Sequence, residues 1–224
     1  MKALIIAAGE GKRLKELSKD EPKPVINLLG LSLIERVILT TKQAGVDEFI
    51  IVIGYRGDKI KSKIGTGEKY NVKIDYVQNN EWQKGNGISV LKAKKFLKDN
   101  FVLLMADHIF DVRILRELLN QDLKKYVSLA IDRSKPILGD TKVLVKEGLI
   151  ISIGKKIKKS NCIDTGIFFC SPKIFSYLEK TAKKGKTELA DGIAEAAKNN
   201  DAKIFDITGI ESYESKMRKE IAPW

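Results

Sequence analysis

The first 120 residues alternate between short apolar segments and segments that carry apolar residues at three- and four-residue spacing. Apolar runs rich in Ile, Val and Leu are typical of strands buried on both faces, and the second pattern is typical of helices. Such alternation requires right-handed crossovers and a mainly parallel sheet covered by helices. The predicted strands are Leu4–Ala8, Phe49–Ile53, Lys73–Val77 and Phe101–Ala106, and the predicted helices are Leu33–Ala44, Gly57–Ile64, Gly87–Leu97 and Val112–Asn120.

The second half of the chain has shorter strand-like segments with tight turns, which predict an antiparallel addition to the sheet. No linker, repeat or low-complexity stretch interrupts the chain, so we predict one three-layer, Rossmann-like α/β domain over residues 1–224. The predicted strands of this half are Tyr126–Asp132, Thr141–Lys146, Leu149–Gly154, Ile163–Ser171 and Ala202–Ile207, with helices from Pro172 and over Leu189–Ala197.

The net charge of +12 comes from 34 Lys and 7 Arg against 29 acidic residues. This excess attracts anions, including nucleotides, nucleic acids and acidic lipid surfaces. The basic residues are scattered along the chain, and no aromatic residues interleave with the densest cluster (Lys155, Lys156, Lys158 and Lys159), which disfavours nucleic acid as a partner. Abundant lysine also occurs in proteins from hot environments. With two cysteines, no apolar run near ~20 residues and no signal-peptide pattern, we expect a cytoplasmic protein or cytoplasmic domain.

The strand Leu4–Ala8 runs into a turn that contains Gly9 and Gly11. Two glycines after a buried strand permit a tight turn whose N–H groups face an anion. The turn alone is weak evidence, because it lacks the third glycine of a dinucleotide fingerprint and the Gly-Lys-Ser/Thr of a Walker loop. Ten residues later Lys23 lies between Pro22 and Pro24, which restrict the backbone on either side. A lysine held in this way suits a defined anion, although a surface lysine in a polar loop is the alternative.

These features together resemble the signature of the sugar-phosphate nucleotidylyltransferases. The resemblance rests on Ala7-Ala8-Gly9-Glu10-Gly11-Lys12-Arg13-Leu14, on Pro22-Lys23-Pro24-Val25, and on Gly30, Gly45-Val46 and Val52-Ile53-Gly54-Tyr55 at the expected spacing. It implies a nucleotidyltransferase fold with a nucleotide-binding half (1–120) and an acceptor-binding half (121–224). It also implies that residues 7–13, Arg13 above all, hold the triphosphate, while Lys23 offsets charge as pyrophosphate leaves. That role is physically sound, because nucleotidyl transfer depends on positioning and charge stabilisation.

Two further segments of the first half are similar to ligand-binding loops of this family. The segment Asn79–Ser89 joins a strand to a helix, and the resemblance implies that it reads a pyrimidine through Asn86, the Gly87 N–H and Ser89. A helix cap at Asn86 or Gly87 is compatible with that role. Asp107 follows the strand Phe101–Ala106, where a carboxylate can bind Mg²⁺ against the triphosphate. His108, the lone histidine of the chain, either contacts the acceptor or is merely packed.

In the second half the resemblance implies a lysine near the acceptor phosphate. Lys155 matches it best because it follows Ile153-Gly154, and Lys156 is a close rival. Asp164-Thr165 stands where relatives hold the sugar, and an aspartate can accept hydrogen bonds from two vicinal hydroxyls. A turn-forming carboxylate is the alternative for Asp164. Asp140 and Glu188 are weaker candidates for acceptor binding.

The Asp107-His108-Ile109 and Asp164-Thr165-Gly166 segments are most similar to the cytidylyltransferases that use CTP and inositol-1-phosphate in making di-inositol-phosphate solutes. Such domains often precede a membrane CDP-alcohol phosphotransferase on the same chain. The family normally carries a second metal-binding Asp after a Trp in this region, but Trp224 is the last residue, so we expect a truncation. The oligomeric state stays open, with a dimer as one option. The alternatives are a nucleotidyltransferase acting on glucose-1-phosphate, another sugar phosphate or phosphocholine, and a binding module without chemistry.

Overall fold

A computed structural model describes residues 1–11, 21–121 and 127–210. Within these ranges the strands are β1 (Lys2–Ala7), β2 (Asn27–Leu28), β3 (Leu31–Ser32), β4 (Glu48–Ile53), β5 (Lys73–Gln78), β6 (Phe101–Met105), β7 (Val127–Asp132), β8 (Lys142–Lys146), β9 (Leu149–Gly154), β10 (Cys162–Cys170) and β11 (Ala202–Asp206). The described α-helices are α1 (Leu33–Gln43), α2 (Gly57–Ile64), α3 (Asn86–Lys92), α4 (Val112–Leu119), α5 (Ile174–Ala182) and α6 (Leu189–Lys198). None of them is long and apolar enough to span a bilayer.

The main sheet has the strand order β11-β7-β10-β6-β1-β4-β5. Its strands β6, β1, β4 and β5 are parallel to one another. Strand β1 lies between β4 and β6, with Ile5 paired to Ile51 on one side and to Leu104 on the other. Alternate residues of β1 enter two separate apolar clusters, one on each face of the sheet. This burial on both faces explains the continuous apolar strands of the sequence, and it confirms the predicted mainly parallel α/β sheet.

The carboxyl ends of β1, β4 and β6 meet at one edge of the sheet. The register pairs Ala7 with Ile53 and Ile6 with Met105, so the segments that follow these strands emerge side by side. Ligands of open α/β sheets bind at this edge. The fold therefore brings the glycine turn and Asp107 to the same place.

The predicted antiparallel addition is confirmed. Among the described strands of the second half, however, not every one is antiparallel to the first half. Strand β10 runs antiparallel to both β6 and β7, while β11 is parallel to β7. Strands β7 and β11 therefore have the same direction as β6, and β8 and β9 form a hairpin that extends from β10. An apolar strand pattern does not encode strand direction, because direction is set by how the chain returns to the sheet.

Two local predictions differ from the structure. The single helix predicted over Gly87–Leu97 is α3 followed by a separate 3₁₀ turn at Lys94–Phe96. The β2–β3 hairpin was not predicted, because each of its strands has only two residues. Its turn residues are Leu29 and Gly30, both at positive φ, and of these only the glycine is typical of a turn in the sequence. Short strands of this kind carry too little periodicity to be recognised from sequence.

Candidate active site

The glycine turn after β1 lies against Lys23. Gly11 has a φ of +67°, and a Cβ built on it would lie 2.8 Å from Lys23 Cβ. Glycine is therefore required both by the backbone conformation and by the close approach. The carbonyl of Ala8 accepts a hydrogen bond from Tyr55 N at 3.0 Å, which ties the start of the turn to the end of β4. Lys12 and Arg13, the predicted basic pair of this turn, lie outside the described residues, so their role stays a prediction.

The backbone of Lys23 is held by its two prolines. Residues Lys23–Val25 form a 3₁₀ turn in which Val25 N donates to the Pro22 carbonyl at 3.0 Å, and Pro24 and Val25 are buried. The side chain reaches across the site, and its Nζ donates to Asp107 Oδ2 at 2.5 Å. These two residues are 84 positions apart in sequence. The fold thus joins the two groups to which the sequence assigned charge stabilisation and metal binding.

Asp107 is an ionised carboxylate with a partner on each oxygen. Removal from water raises its pKa, but the hydrogen bond and charge of His108 and the charge of Lys23 outweigh that effect and hold the pKa well below its usual range. The Nδ1 atom of His108 lies 2.8 Å from Asp107 Oδ1. Among the described residues no three His, Cys, Asp or Glu side chains converge to hold a metal ion. A cation at Asp107 would therefore take its remaining ligands from phosphate oxygens and water, as Mg²⁺ commonly does.

A bulge in β10 carries the predicted acceptor residues towards His108. Between the pairs Asp164–Ile131 and Phe168–Leu129 the strand advances four residues while β7 advances two. Gly166 lies in this bulge with a φ of +75°, and a Cβ there would lie 3.0 Å from both His108 Cδ2 and Met105 Cγ. Bulges often occur next to active sites because they redirect a side chain. This one places the Asp164 segment beside the Asp107-His108 pair.

The Asp164 carboxyl is held within the bulge by a hydrogen bond from Gly166 N at 2.8 Å, and its pKa is raised. Removal from water raises its pKa to about 6, against the opposing hydrogen bond from Gly166 N and the charge of His108. Asp140 raises this pKa further and Lys155 lowers it, so both residues act on Asp164 directly. Three other predicted acceptor residues, His108, Asp140 and Lys155, therefore carry charges near enough to influence the pKa of Asp164. The hydroxyl of Thr165 is turned away to the backbone, donating to the Ala130 carbonyl at 2.8 Å.

The predicted base-reading loop packs against the start of α6. A Cβ on Gly85 or Gly87 would lie 2.4 or 2.7 Å from the Thr187 carbonyl oxygen, so both positions need glycine. Ser89 is buried, and its hydroxyl accepts a hydrogen bond from Asn79 Nδ2 at 2.9 Å. Glu188 is the N-cap of α6 and contacts this loop. The backbone of Glu188 lies against Gly85 and Gly87, and its predicted role in acceptor binding stays a prediction.

Sequence reasoning missed the residues that support the site from a distance. Thr187 and Leu189 contact residues 85 and 86, more than 100 positions earlier in the chain. Gly85 and Gly87 indicated that another segment approaches the backbone closely at these positions, but they did not indicate that this segment is Thr187–Leu189. Trp82 lies on Gly54, where a Cβ would come within 2.6 Å of Trp82 Cβ and 2.7 Å of the Ala8 carbonyl oxygen. The indole packs edge-on to Tyr55 and so borders the glycine turn.

The glycine turn, Lys23 and Asp107 thus lie together at the carboxyl edge of a Rossmann-like sheet. The family model described as nucleotidyl transferase matches residues 2–209. The chain therefore belongs to the nucleotidyl transferase family.

Several curated proteins of this kind are similar over most of the chain. A bifunctional IPC transferase and DIPP synthase of Rubrobacter xylanophilus is 34% identical over 75% of this chain and 38% of its own length. Its counterpart in Aquifex aeolicus is 31% identical over 87% of this chain and 45% of its own length. The bifunctional protein GlmU of Methanocaldococcus jannaschii is 31% identical over 93% and 50%. The chain thus spans about half the length of these relatives or less.

Solved structures share the fold throughout the chain. The inositol-1-phosphate CTP transferase from T. maritima superposes with a TM-score of 0.80, at 26% identity, over 93% of this chain and 86% of its own. A putative glucose-1-phosphate thymidylyltransferase from Bacillus anthracis has a TM-score of 0.81 at 22% identity, covering 95% and 88%. The second likeness shows the fold alone.

Proposed function

We propose that this chain transfers a cytidylyl group from CTP to inositol-1-phosphate, giving CDP-inositol and pyrophosphate. The observation that carries the proposal is the bulge at Asp164–Gly166, which lies against His108 while His108 bonds Asp107. A triphosphate side and a polyol side thus adjoin one another. The similarity to IPC transferases and to an inositol-1-phosphate CTP transferase supports this acceptor and nucleotide.

In the proposed reaction an oxygen of inositol-1-phosphate attacks the α-phosphorus of CTP in line. The bond from the α-phosphorus to its bridging oxygen breaks, and pyrophosphate leaves with the electron pair. The acceptor phosphate is already ionised near neutral pH, so no general base is needed. Lys23, held between two prolines, stabilises the charge that develops on the triphosphate, and Arg13 does the same from the glycine turn. Lys155 orients the acceptor phosphate, with Lys156 as its rival.

The residues present fit a bound Mg²⁺. Asp107 is ionised, its side chain is 28% exposed, and it lies at the edge where the triphosphate is expected. When bound there, the ion supplies positive charge that offsets the phosphate oxygens. The ammonium of Lys23 bonds one oxygen of the Asp107 carboxylate. That oxygen becomes available to the ion when the nucleotide phosphates attract the ammonium away from it. His108 holds the other oxygen and keeps the carboxylate oriented.

On the acceptor side, Asp164 accepts hydrogen bonds from vicinal hydroxyls of the polyol, with Asp140 and Thr165 beside it. The relatives named GlmU favour a second candidate, a nucleotidyltransferase of the same fold acting on a sugar phosphate such as glucose-1-phosphate. We also propose that the chain is cytoplasmic and works beside, or joined to, a membrane CDP-alcohol phosphotransferase; the IPC transferase relatives are named bifunctional and are about twice as long as this chain, which fits a second activity beside this one. No role for nucleic acid is proposed.

A substrate matrix tests the proposal. The purified protein is supplied with Mg²⁺, each of CTP, UTP, dTTP and ATP, and each of inositol-1-phosphate, glucose-1-phosphate, N-acetylglucosamine-1-phosphate and phosphocholine. Pyrophosphate release should be fastest for CTP with inositol-1-phosphate, and its product should have the mass of CDP-inositol. Faster turnover of any other pair would overturn the assignment, and no turnover of any pair would favour a binding module.

A further inference from the structure

Helix α2 connects the end of β4 to the segment that carries Lys23. The start of the helix is fixed on the sheet, because Gly57 N donates to the Gly54 carbonyl at 3.2 Å. A Cβ on Gly57 would lie 2.9 Å from Ile53 Cβ, so the first turn of α2 lies directly on the last residue of β4. Further along, α2 packs against the 3₁₀ turn Lys23–Val25. The helix therefore relates the position of this turn to that of the central sheet.

One face of α2 holds the Lys23 segment on both sides of the turn. Lys59 and Lys63 are four residues apart, so their side chains lie on the same face of the helix. Lys59 Nζ donates to Glu21 Oε1 at 2.5 Å on the N-terminal side of the turn. Lys63 Nζ donates to Asn27 Oδ1 at 3.4 Å on the other side. The first contact is the shorter of the two and joins opposite charges, so it is the stronger point of attachment.

The segment needs this attachment because rigidity alone does not set its position. Pro22 and Pro24 restrict the backbone and are buried, but apolar packing has no preferred direction. An ion pair joins defined atoms and so limits sliding of the segment along the protein surface. The position of Lys23 matters because a displacement of about 1 Å in a reacting group can cost about a hundredfold in rate.

Resting on the proposed function, we propose that Lys59 is a positioning residue for the transfer reaction, which fixes Lys23 relative to the triphosphate through its ion pair with Glu21. Lys59 acts through Glu21 and makes no contact with substrate. Lys23 stabilises charge that develops during transfer, so its displacement lowers kcat and leaves CTP binding nearly unchanged. The side chains of Lys59 and Glu21 are 31% and 45% exposed, and an ion pair so exposed contributes little to the stability of the whole domain.

The variant Lys59→Met tests the positioning. Its kcat for pyrophosphate release should fall about three- to tenfold, less than for a full ångström of displacement, because the buried prolines still hold the turn. KM for CTP and the midpoint of urea unfolding should stay unchanged, and Lys59→Arg should keep most of the wild-type rate. Lys61→Met is the matched control, because it removes the same charge from the part of α2 that lies over the Tyr76 ring. Its kcat should equal that of the wild type.

Exchanging the two charges separates the ion pair from the charge of Lys59 alone. Lys59→Glu and Glu21→Lys should each lower kcat, because each places two like charges together. The double variant restores an ion pair of opposite polarity and should recover most of the wild-type rate. A double variant no faster than the single variants, or a Lys59→Met variant with unchanged kcat, would overturn the proposal.

Hydrogen exchange examines the turn without any substrate. The amide of Ile26 donates to the Lys23 carbonyl at 3.2 Å, and it should exchange faster in Lys59→Met than in the wild type or in Lys61→Met. Equal exchange in all three proteins would show that Lys59 does not hold the turn. A wild type that turns over no CTP would instead refute the proposed function, and the exchange rates would still decide the role of Lys59.

Discussion

Replacing Gly166 with alanine tests whether the β10 bulge positions His108. At a φ of +75° an alanine costs about 1–2 kcal/mol from the left-handed backbone alone. Its Cβ would also lie 3.0 Å from His108 Cδ2 and from Met105 Cγ, so both must move by a few tenths of an ångström. His108 bonds Asp107, and a shifted ring perturbs the acceptor side of the site first. We expect a raised KM for inositol-1-phosphate and a smaller effect on KM for CTP.

The chain offers a close control at Gly185. Its φ is +74°, and a Cβ there has nothing within 4 Å, so Gly185→Ala carries the backbone cost without the contact. Urea unfolding should show a loss of about 1–2 kcal/mol for the control and a larger loss for Gly166→Ala. The difference between the two variants isolates the contact with His108 and Met105. Equal stability losses together with an unchanged acceptor KM would refute the reasoning.

Three further predictions follow from single contacts. Lys23→Ala should lower kcat far more than it weakens CTP binding, because Lys23 acts on charge that develops during transfer; unchanged turnover would contradict its role. Glu35, whose pKa burial raises but the hydrogen bonds from Ser32 and Tyr70 lower to about 2, contributes stability above pH 4.5 that is lost as the pH falls towards 2. Glu35→Gln should therefore cost up to about 3 kcal/mol in urea unfolding at pH 7 and clearly less at pH 3, and an equal cost at both pH values would refute this. In a Trp224→Phe background CTP should quench the fluorescence of Trp82, which lies on Gly54 beside the glycine turn; a flat titration under conditions of turnover would place the base elsewhere.

The positions of the main strands and helices could be predicted because burial imposes a period on the sequence. Strand β9 and helix α2 have the predicted bounds, and most other elements differ by one or two residues. The direction of β10 and its bulge could not be predicted in the same way. Both depend on pairing with β6 and β7, and a strand's own apolar residues do not specify its partners.

For the candidate site, too, local features could be predicted from the sequence, whereas contacts between distant residues could not. Lys23 and Asp107 were identified from local features, namely the flanking prolines and the position after a buried strand. Their mutual ion pair, and the influence of the Lys155 and Asp140 charges on the pKa of Asp164, required the fold. The contact of the Glu188 backbone with the loop at Gly85 and Gly87 required the fold for the same reason, because the two segments are about 100 residues apart.

Among the contacts between the two halves of the chain, we single out two joints, one beside each proposed substrate. At one joint Leu189 of the second half sets the orientation of Asn86 in the first half. At the other, Gly166 of the second half limits the position of His108, which bonds Asp107 in the first half. If the joints are separate, Asn86→Asp changes nucleotide selectivity and leaves the acceptor KM alone, while Gly166→Ala does the reverse. Measuring both constants in both variants decides the point, because a variant that shifted both by similar factors would mean that the halves move as one body around the two substrates.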